Sequence, residues 1–229
     1  MYTAAEPFFS EKVISFYRAL RLQLPEHLQT TVLNPYCERN VMDYVQQFFR
    51  KYYNNHHTRT FLFGINPGRL GSGATGISFT DPVALRKYCG IENDLGDKRE
   101  LSSEFIYQVI EAYGGAEKYY KRFFMTAICP LGFLKGLKNY NYYDDQNLLK
   151  AVLPFIKAKW KEQISLGAKH KVAICIGSGK NKKMITTLNQ AYPYFEKIIF
   201  LEHPRFIMQY RRKRMAEYID AYLEAMESA

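Results

Sequence analysis

Phe61-Leu62-Phe63-Gly64-Ile65-Asn66-Pro67-Gly68 is an apolar, β-prone run that ends in a turn built around a single polar amide. A second glycine-rich stretch follows, Gly71-Ser72-Gly73-Ala74-Thr75-Gly76, closing on Ile77-Ser78-Phe79. A buried strand of this kind delivers Asn66 to its carboxyl end, where open α/β sheets place their ligand crevice. Pro67 fixes φ and donates no backbone hydrogen bond, while the glycines let the main chain come close to a ligand or take positive φ. Asn-Pro-Gly by itself favours a plain strand-to-loop turn. The second half of the chain changes that balance.

Working outward, four short apolar runs read as buried parallel strands: Thr60–Ile65, Phe123–Ile128, Val172–Ile176 and Lys197–Leu201. Helical stretches separate them near Ser102–Tyr113, Asp144–Ser165 and Lys180–Ala191, and a last helix is expected from about Gln209 to Met226. Ahead of the first strand, Ser10 is expected to cap a helix reaching Leu24, and a second helix spans Glu38–Tyr53 after Asn34-Pro35. Strands alternating with helices predict an α/β fold, a three-layer sandwich with a central four-stranded parallel sheet flanked by helices. No linker, low-complexity tract or repeat interrupts the chain, so residues 1–229 are expected to form a single domain.

Composition narrows the partners. With 47% hydrophobic residues, 19 Tyr and 16 Phe, the chain has ample material for a core. No apolar run is long enough to span a bilayer, and the first residues, Met1 to Glu6, lack a basic and apolar leader pattern. The expectation is a soluble, cytoplasmic protein. Cys37, Cys89, Cys129 and Cys175 lie far apart and form no Cys-x-x-Cys pair, which argues for buried free thiols and against a zinc site, a cluster or a disulfide framework. No metal or cofactor is expected. Thirty-two Lys and Arg against 22 Asp and Glu give a formal charge of +10, which suits a polyanion. The excess is concentrated at Lys180, Lys182 and Lys183 and at Arg205 and Arg211–Arg214.

The expected strand tips are polar and glycine-rich: Asn66, then Cys129-Pro130-Leu131-Gly132, Gly177-Ser178-Gly179-Lys180 and Glu202-His203-Pro204-Arg205. The third invites a nucleotide-binding reading that fails on spacing. A P-loop needs glycine where Ile174 stands, and the dinucleotide fingerprint needs one at Lys182. What survives is a glycine turn opening a helix, where Gly177, Ser178 and Lys180 could bind one phosphate; a plain strand-to-helix turn is the equal alternative. His27, His56, His57 and His170 lie in polar stretches, whereas His203 follows the apolar Ile198-Ile199-Phe200-Leu201. Paired with Asn66 at the same sheet edge, His203 is a candidate acid, base or electrostatic donor.

Gly64-Ile65-Asn66-Pro67-Gly68, Thr75-Gly76-Ile77-Ser78-Phe79 and His203-Pro204 resemble the two signature motifs of the uracil-DNA glycosylase superfamily. His203-Pro204 favours the single-strand-selective monofunctional branch over the mismatch-specific branch, which has Asn at that place. The resemblance runs from about Thr31 to the C-terminus. It implies a monofunctional DNA N-glycosylase of base excision repair, acting as a monomer on a damaged base flipped out of DNA. Asn66 would orient a water toward C1′ and His203 would stabilise charge on the departing base. Phe79 would stack on that base, Gly64, Ile65 and Gly68 would complete the pocket, and Ala127 would face the base edge.

Two departures qualify the likeness. The family carries a uracil-reading asparagine where this chain has Ala127, so uracil recognition is expected to be weakened and the pocket enlarged for a different or bulkier base. The family's second motif continues as a Ser-Pro-Arg wedge, where this chain reads Arg205-Phe206-Ile207-Met208. The loop from Arg205 into the last helix is nevertheless expected to be the main DNA contact, through Arg205, Phe206, Arg211 and Arg212 with Ile207 or Met208 as further wedge candidates. Two other classes stay open: a non-catalytic module that binds DNA or a damaged base, and a nucleoside or nucleotide hydrolase on the same sandwich.

Overall fold

A computed structural model of the protein describes residues 6–229; the N-terminal stretch lacking a leader pattern lies, apart from Glu6, outside the described residues. The four expected strands form one parallel sheet: β2 (Thr60–Gly64), β3 (Phe123–Ala127), β6 (Val172–Ile176) and β7 (Lys197–Leu201), in the order β3-β2-β6-β7. Every residue of β2, β3 and β6 is buried, as continuous apolar runs covered on both faces require, and only β7 is partly exposed. The chain runs outward from β2 to β3, then returns past β2 to β6 and outward again to β7. That reversal sets a topological switch point between β2 and β6, at the carboxyl edge of the sheet.

A second sheet, not foreseen from the sequence, joins β1 (Thr31–Leu33), β4 (Gly132–Lys135) and β5 (Lys138–Tyr140) in antiparallel order β1-β4-β5. Its strands are three or four residues long and lack clean alternation, so they leave little periodic signal. It sits against the Asn66 loop, because a side chain at Gly132 would collide with the carbonyl of Pro67.

Ten helices are described: α1 (Phe9–Arg18), α2 (Arg39–Tyr53), α3 (Ser72–Thr75), α4 (Pro82–Cys89), α5 (Leu101–Tyr113), α6 (Ala116–Arg122), α7 (Gln146–Ser165), α8 (Lys180–Ala191), α9 (Pro204–Tyr210) and α10 (Met215–Glu227). Helix α1 is shorter than expected. Ser10 lies inside it, donating to Asn54 Oδ1, and past Arg18 the carbonyls of Arg18 and Leu20 are taken by the side chains of Arg21 and Asn34. The C-terminal helix is split, with a 3-10 turn at Arg212–Arg214 between α9 and α10. Four consecutive cations from Arg211 supply no apolar anchor to hold that turn in the core. Helix α4 carried readable signals, an Asp81 cap that accepts from Ala84 N, Pro82 in the first turn, and Gly90 at φ 60° after the end.

Aromatic residues build the core. Phe63 packs on Trp160 of α7 with ring centroids 4.7 Å apart, Phe61 and Phe124 meet Phe9 of α1, and Phe105 of α5 meets Tyr222 of α10. Cys89, Cys129 and Cys175 are buried free thiols; Cys37, against expectation, is exposed.

Candidate active site at the carboxyl edge of the sheet

Beyond the tips of β2, β3 and β7 lies a cavity of about 170 Å³. The two candidate catalytic residues, Asn66 and His203, line it together with all five candidate base-binding residues, Gly64, Ile65, Gly68, Phe79 and Ala127. One residue from the DNA-contact set, Arg205, lines it as well.

Asn66 is held by main-chain groups on either side of β5's end. Its Oδ1 accepts from Tyr142 N at 3.1 Å, and its Nδ2 donates to the carbonyls of Tyr140 at 3.3 Å and Pro67 at 3.4 Å. These bonds fix which end of the amide is which and use both N–H groups, leaving one Oδ1 lone pair uncommitted. Tyr142 is itself anchored. Its buried hydroxyl donates to Asn181 Oδ1 at 2.9 Å, and Asn181 Nδ2 donates to Ile176 O at the end of β6.

His203 caps α9, with its Nδ1 accepting from Arg205 N at 3.2 Å and Pro204 in the first turn. An accepting Nδ1 requires the neutral ring to carry its proton on Nε2, which makes Nε2 a donor. Burial pushes the His203 imidazole down to about 4, with the Arg205 cation adding to the effect. The ring is therefore neutral across the physiological range.

Phe79 sits at φ 53°, a left-handed conformation uncommon for a bulky residue. The turn before it is tied by buried Thr75, whose Oγ1 donates to Thr80 O at 2.7 Å and accepts from Ile77 N at 3.1 Å. Held this way, the Phe79 ring lies against Gly64: a Cβ there would stand 2.8 Å from Cζ. Its centroid is 6.1 Å from that of His203. The glycine of the first motif and the aromatic of the second stretch thus depend on each other.

Ala127 faces the cavity without a hydrogen-bonding side chain, and its carbonyl accepts from Gln163 Nε2 at 3.2 Å. The adjacent Thr126 does not compensate, since its buried hydroxyl donates to Gln163 Oε1 and pairs with the Tyr17 hydroxyl at 3.3 Å.

The remaining DNA-contact candidates lie outside the cavity. Phe206 and Tyr210 are exposed on α9, Arg211 lies over the Phe206 ring at 5.3 Å, and Arg212 pairs with Glu104 at 3.1 Å. Ile207 and Met208 are corrected from wedge candidates to core residues, because helical spacing turns both inward from Phe206. Gly177 is also corrected: it is buried, its amide donates to Leu201 O at 2.8 Å, and no N–H is left for a phosphate. Ser178 is exposed and pairs with Glu202, and Lys180 is exposed and donates to Tyr143 O.

Sequence reading missed Glu100, Asn139 and Asn141, all of which line the cavity. Glu100 stands in the charged run Asp97-Lys98-Arg99-Glu100, which looks like a solvated surface. Asn139 arrives on the unforeseen small sheet, in β5, and Asn141 follows just past its end. Leu137, 80% exposed at the β4–β5 turn between Lys135 and Lys138, was also missed.

Residues 50–227 match the family model described as the Uracil DNA glycosylase superfamily. Among solved structures the chain is similar to wild-type SMUG2 of Pedobacter heparinus, at 43% identity and a TM-score of 0.92, covering 96% of this chain and 97% of that one. No curated protein matches the sequence. The expected family and the four-stranded α/β sandwich are both borne out by these matches.

Proposed function

The chain belongs to the uracil DNA glycosylase superfamily, and from this premise we propose that it hydrolyses the N-glycosidic bond of a damaged base, uracil or a related lesion, flipped out of DNA. The observation that carries the reading is that Asn66, with one Oδ1 lone pair uncommitted, and His203, with Nε2 as its donor, line one cavity beside the Phe79 ring. A water donating one hydrogen to Asn66 Oδ1 keeps a lone pair for C1′. An amide is a poor base, so Asn66 acts by placement. As the C1′–N bond breaks, its electron pair stays with the base and the sugar gains oxocarbenium character. His203 donates to the base oxygen that takes up this charge, an effect worth about 3–4 kcal/mol for a well-aimed donor. The water's oxygen ends on C1′ and its proton passes to solvent. Because the imidazole is neutral, the donor costs no protonation step at physiological pH.

One buried cluster that runs from Phe9 to Met226 supports a single folding unit. No helix among the described residues is long and apolar enough to cross a membrane. The test is a set of labelled oligonucleotides carrying uracil, 5-hydroxymethyluracil, hypoxanthine or xanthine, scored for alkali-labile abasic sites. Cleavage of one or more supports the reading; tight lesion binding without product supports a non-catalytic module, for which Ala127 is the favouring observation.

The DNA face follows α9 and the 3-10 turn beyond it. The exposed Phe206 is the apolar side chain offered to the gap that an extruded base would leave, with Arg205, Arg211 and Arg212 to neutralise phosphates. Replacing these three arginines by Gln should weaken DNA binding and flatten the slope of log affinity against log salt by roughly 0.9 for each phosphate no longer neutralised. An unchanged slope would locate the DNA elsewhere.

Ala127→Asn adds a donor and an acceptor at the base edge. It should raise uracil cleavage relative to the other lesions by up to about tenfold, since a hydrogen bond gained at the base edge is worth about 0.5–1.5 kcal/mol. Reduced uracil cleavage by this variant would contradict the assignment of Ala127 to the base edge.

A further inference from the structure

Removing the reading amide from position 127 leaves a flipped base in need of another partner, and one side chain in the cavity is built to serve. Glu100 acts within the described protein only through its main chain: its N–H donates to Asp81 Oδ2 at 2.9 Å and its carbonyl accepts from Glu104 N at 3.0 Å. Neither carboxyl oxygen has a hydrogen-bond partner among the described residues, yet the residue is partly buried and lines the cavity. It occupies space left by two glycines of the Asn66 loop. A Cβ at Gly68 would lie 3.0 Å from Oε1, and one at Gly71 would collide with Oε2. The carboxyl is thus lodged where the loop has given up its own side chains.

We propose that Glu100, as a neutral carboxylic acid, is a specificity-determining residue that hydrogen-bonds the edge of the flipped base in place of the amide missing at position 127. The inference rests on the glycosylase reading. A carboxylic acid presents one O–H donor and one carbonyl acceptor side by side, the pair that a carboxamide offers, and so complements the N–H and C=O of a lactam base. The ionised form presents acceptors only and repels the base carbonyl. Burial pushes the Glu100 carboxyl up to about 7; the Arg205 cation opposes the shift and the Asp81 carboxylate adds to it. His203, the other ionisable group lining the cavity besides Arg205, is held neutral. Competing side chains fit less well. Thr126 is spent on Gln163, Asn139 Oδ1 accepts from Arg69 N, and Asn141 stands between Tyr140 and Tyr142, whose main-chain groups help to clamp Asn66.

The test is single-turnover cleavage of a uracil oligonucleotide by the wild type, E100Q and E100A from pH 5.5 to 9. The wild-type rate should fall by about tenfold per pH unit above a midpoint near neutrality. E100Q keeps a donor and an acceptor at every pH, so its rate should stay level across the same range. E100A should be slower than wild type at pH 6 by about tenfold or more, as expected when a hydrogen bond to the base is removed. A descending limb shared by E100Q and wild type, or E100A cleaving within about twofold of wild type at pH 6, would overturn the proposal. Binding of an oligonucleotide carrying 2′-fluoro-2′-deoxyuridine, which resists hydrolysis, separates the two readings. Binding that weakens above pH 7 in the wild type but not in E100Q, with no base released from uracil DNA, upholds Glu100 and defeats the hydrolytic reading. Binding by the wild type that ignores pH defeats Glu100.

Discussion

Asn66→Ala should slow single-turnover base release by about a hundredfold or more, and His203→Ala should do the same, with neither variant losing its fold. The reasons differ. Asn66 offers the attacking water one fixed acceptor, because its other amide contacts go to Tyr140, Tyr142 and Pro67. Alanine leaves the water without orientation and leaves the Tyr142 N–H without its acceptor. His203 offers a neutral Nε2–H whose direction is set by the cap it makes on α9. Alanine removes both the donor and the cap, so His203→Ser, whose short hydroxyl can still cap the helix without reaching as far as the imidazole Nε2, is the cleaner variant for catalysis. The sign of the pH response follows from the depressed imidazole. With the folded value near 4, the neutral ring prevails everywhere above it, so the acid limb assigned to His203 should fall near pH 4 and not near 6.5. Wild-type-like cleavage by an alanine variant would remove that residue from the mechanism.

Gly64→Ala is the second large effect expected, and it should appear in catalysis and not in stability. The added methyl would lie 2.8 Å from Phe79 Cζ and 3.0 Å from Cε2, while the nearest backbone atom, Thr126 O, is at an ordinary 3.5 Å. The far end of a ring can move aside more cheaply than a strand can, so the fold should survive with a melting temperature within a few degrees of wild type. The displaced ring loses its place beside His203, and a base stacked on it would be carried out of register with the water on Asn66. A shift of this size costs on the order of tenfold to a hundredfold in rate. An unaltered rate at unaltered stability would show that the Phe79 ring is not the platform for the base.

The parts of this site that could be read in the sequence are those with a local signature. A continuous apolar run broken by Gly, Asn and Pro announces β2 and its tip, and His203-Pro204 after another such run announces the end of β7. The clamp on Asn66 could not be read, because it is made of a main-chain N–H and two carbonyls, which any residue at those positions supplies. Glu100 was hidden by composition: only the glycines at 68 and 71, far from it in sequence, turn a charged run into a cavity wall. Ile207 and Met208 were misjudged for a different reason. With the helix expected to begin near Gln209, all three apolar residues before it looked free. Its actual start at Pro204, signalled by proline in the first turn, leaves Phe206 facing out and the other two facing in.

The central claim is that water adds to C1′ of a flipped nucleotide held between Asn66 and His203. Mass spectrometry of a single-turnover reaction in H₂¹⁸O tests it most directly, using whichever lesion the wild type cleaves best. The account predicts release of the intact base, one labelled oxygen on the abasic sugar and an unbroken strand until alkali is added, with free base and labelled sugar appearing about a hundredfold more slowly in Asn66→Ala. Lesion DNA recovered intact after prolonged incubation with wild type, or strand breakage without free base, would contradict it.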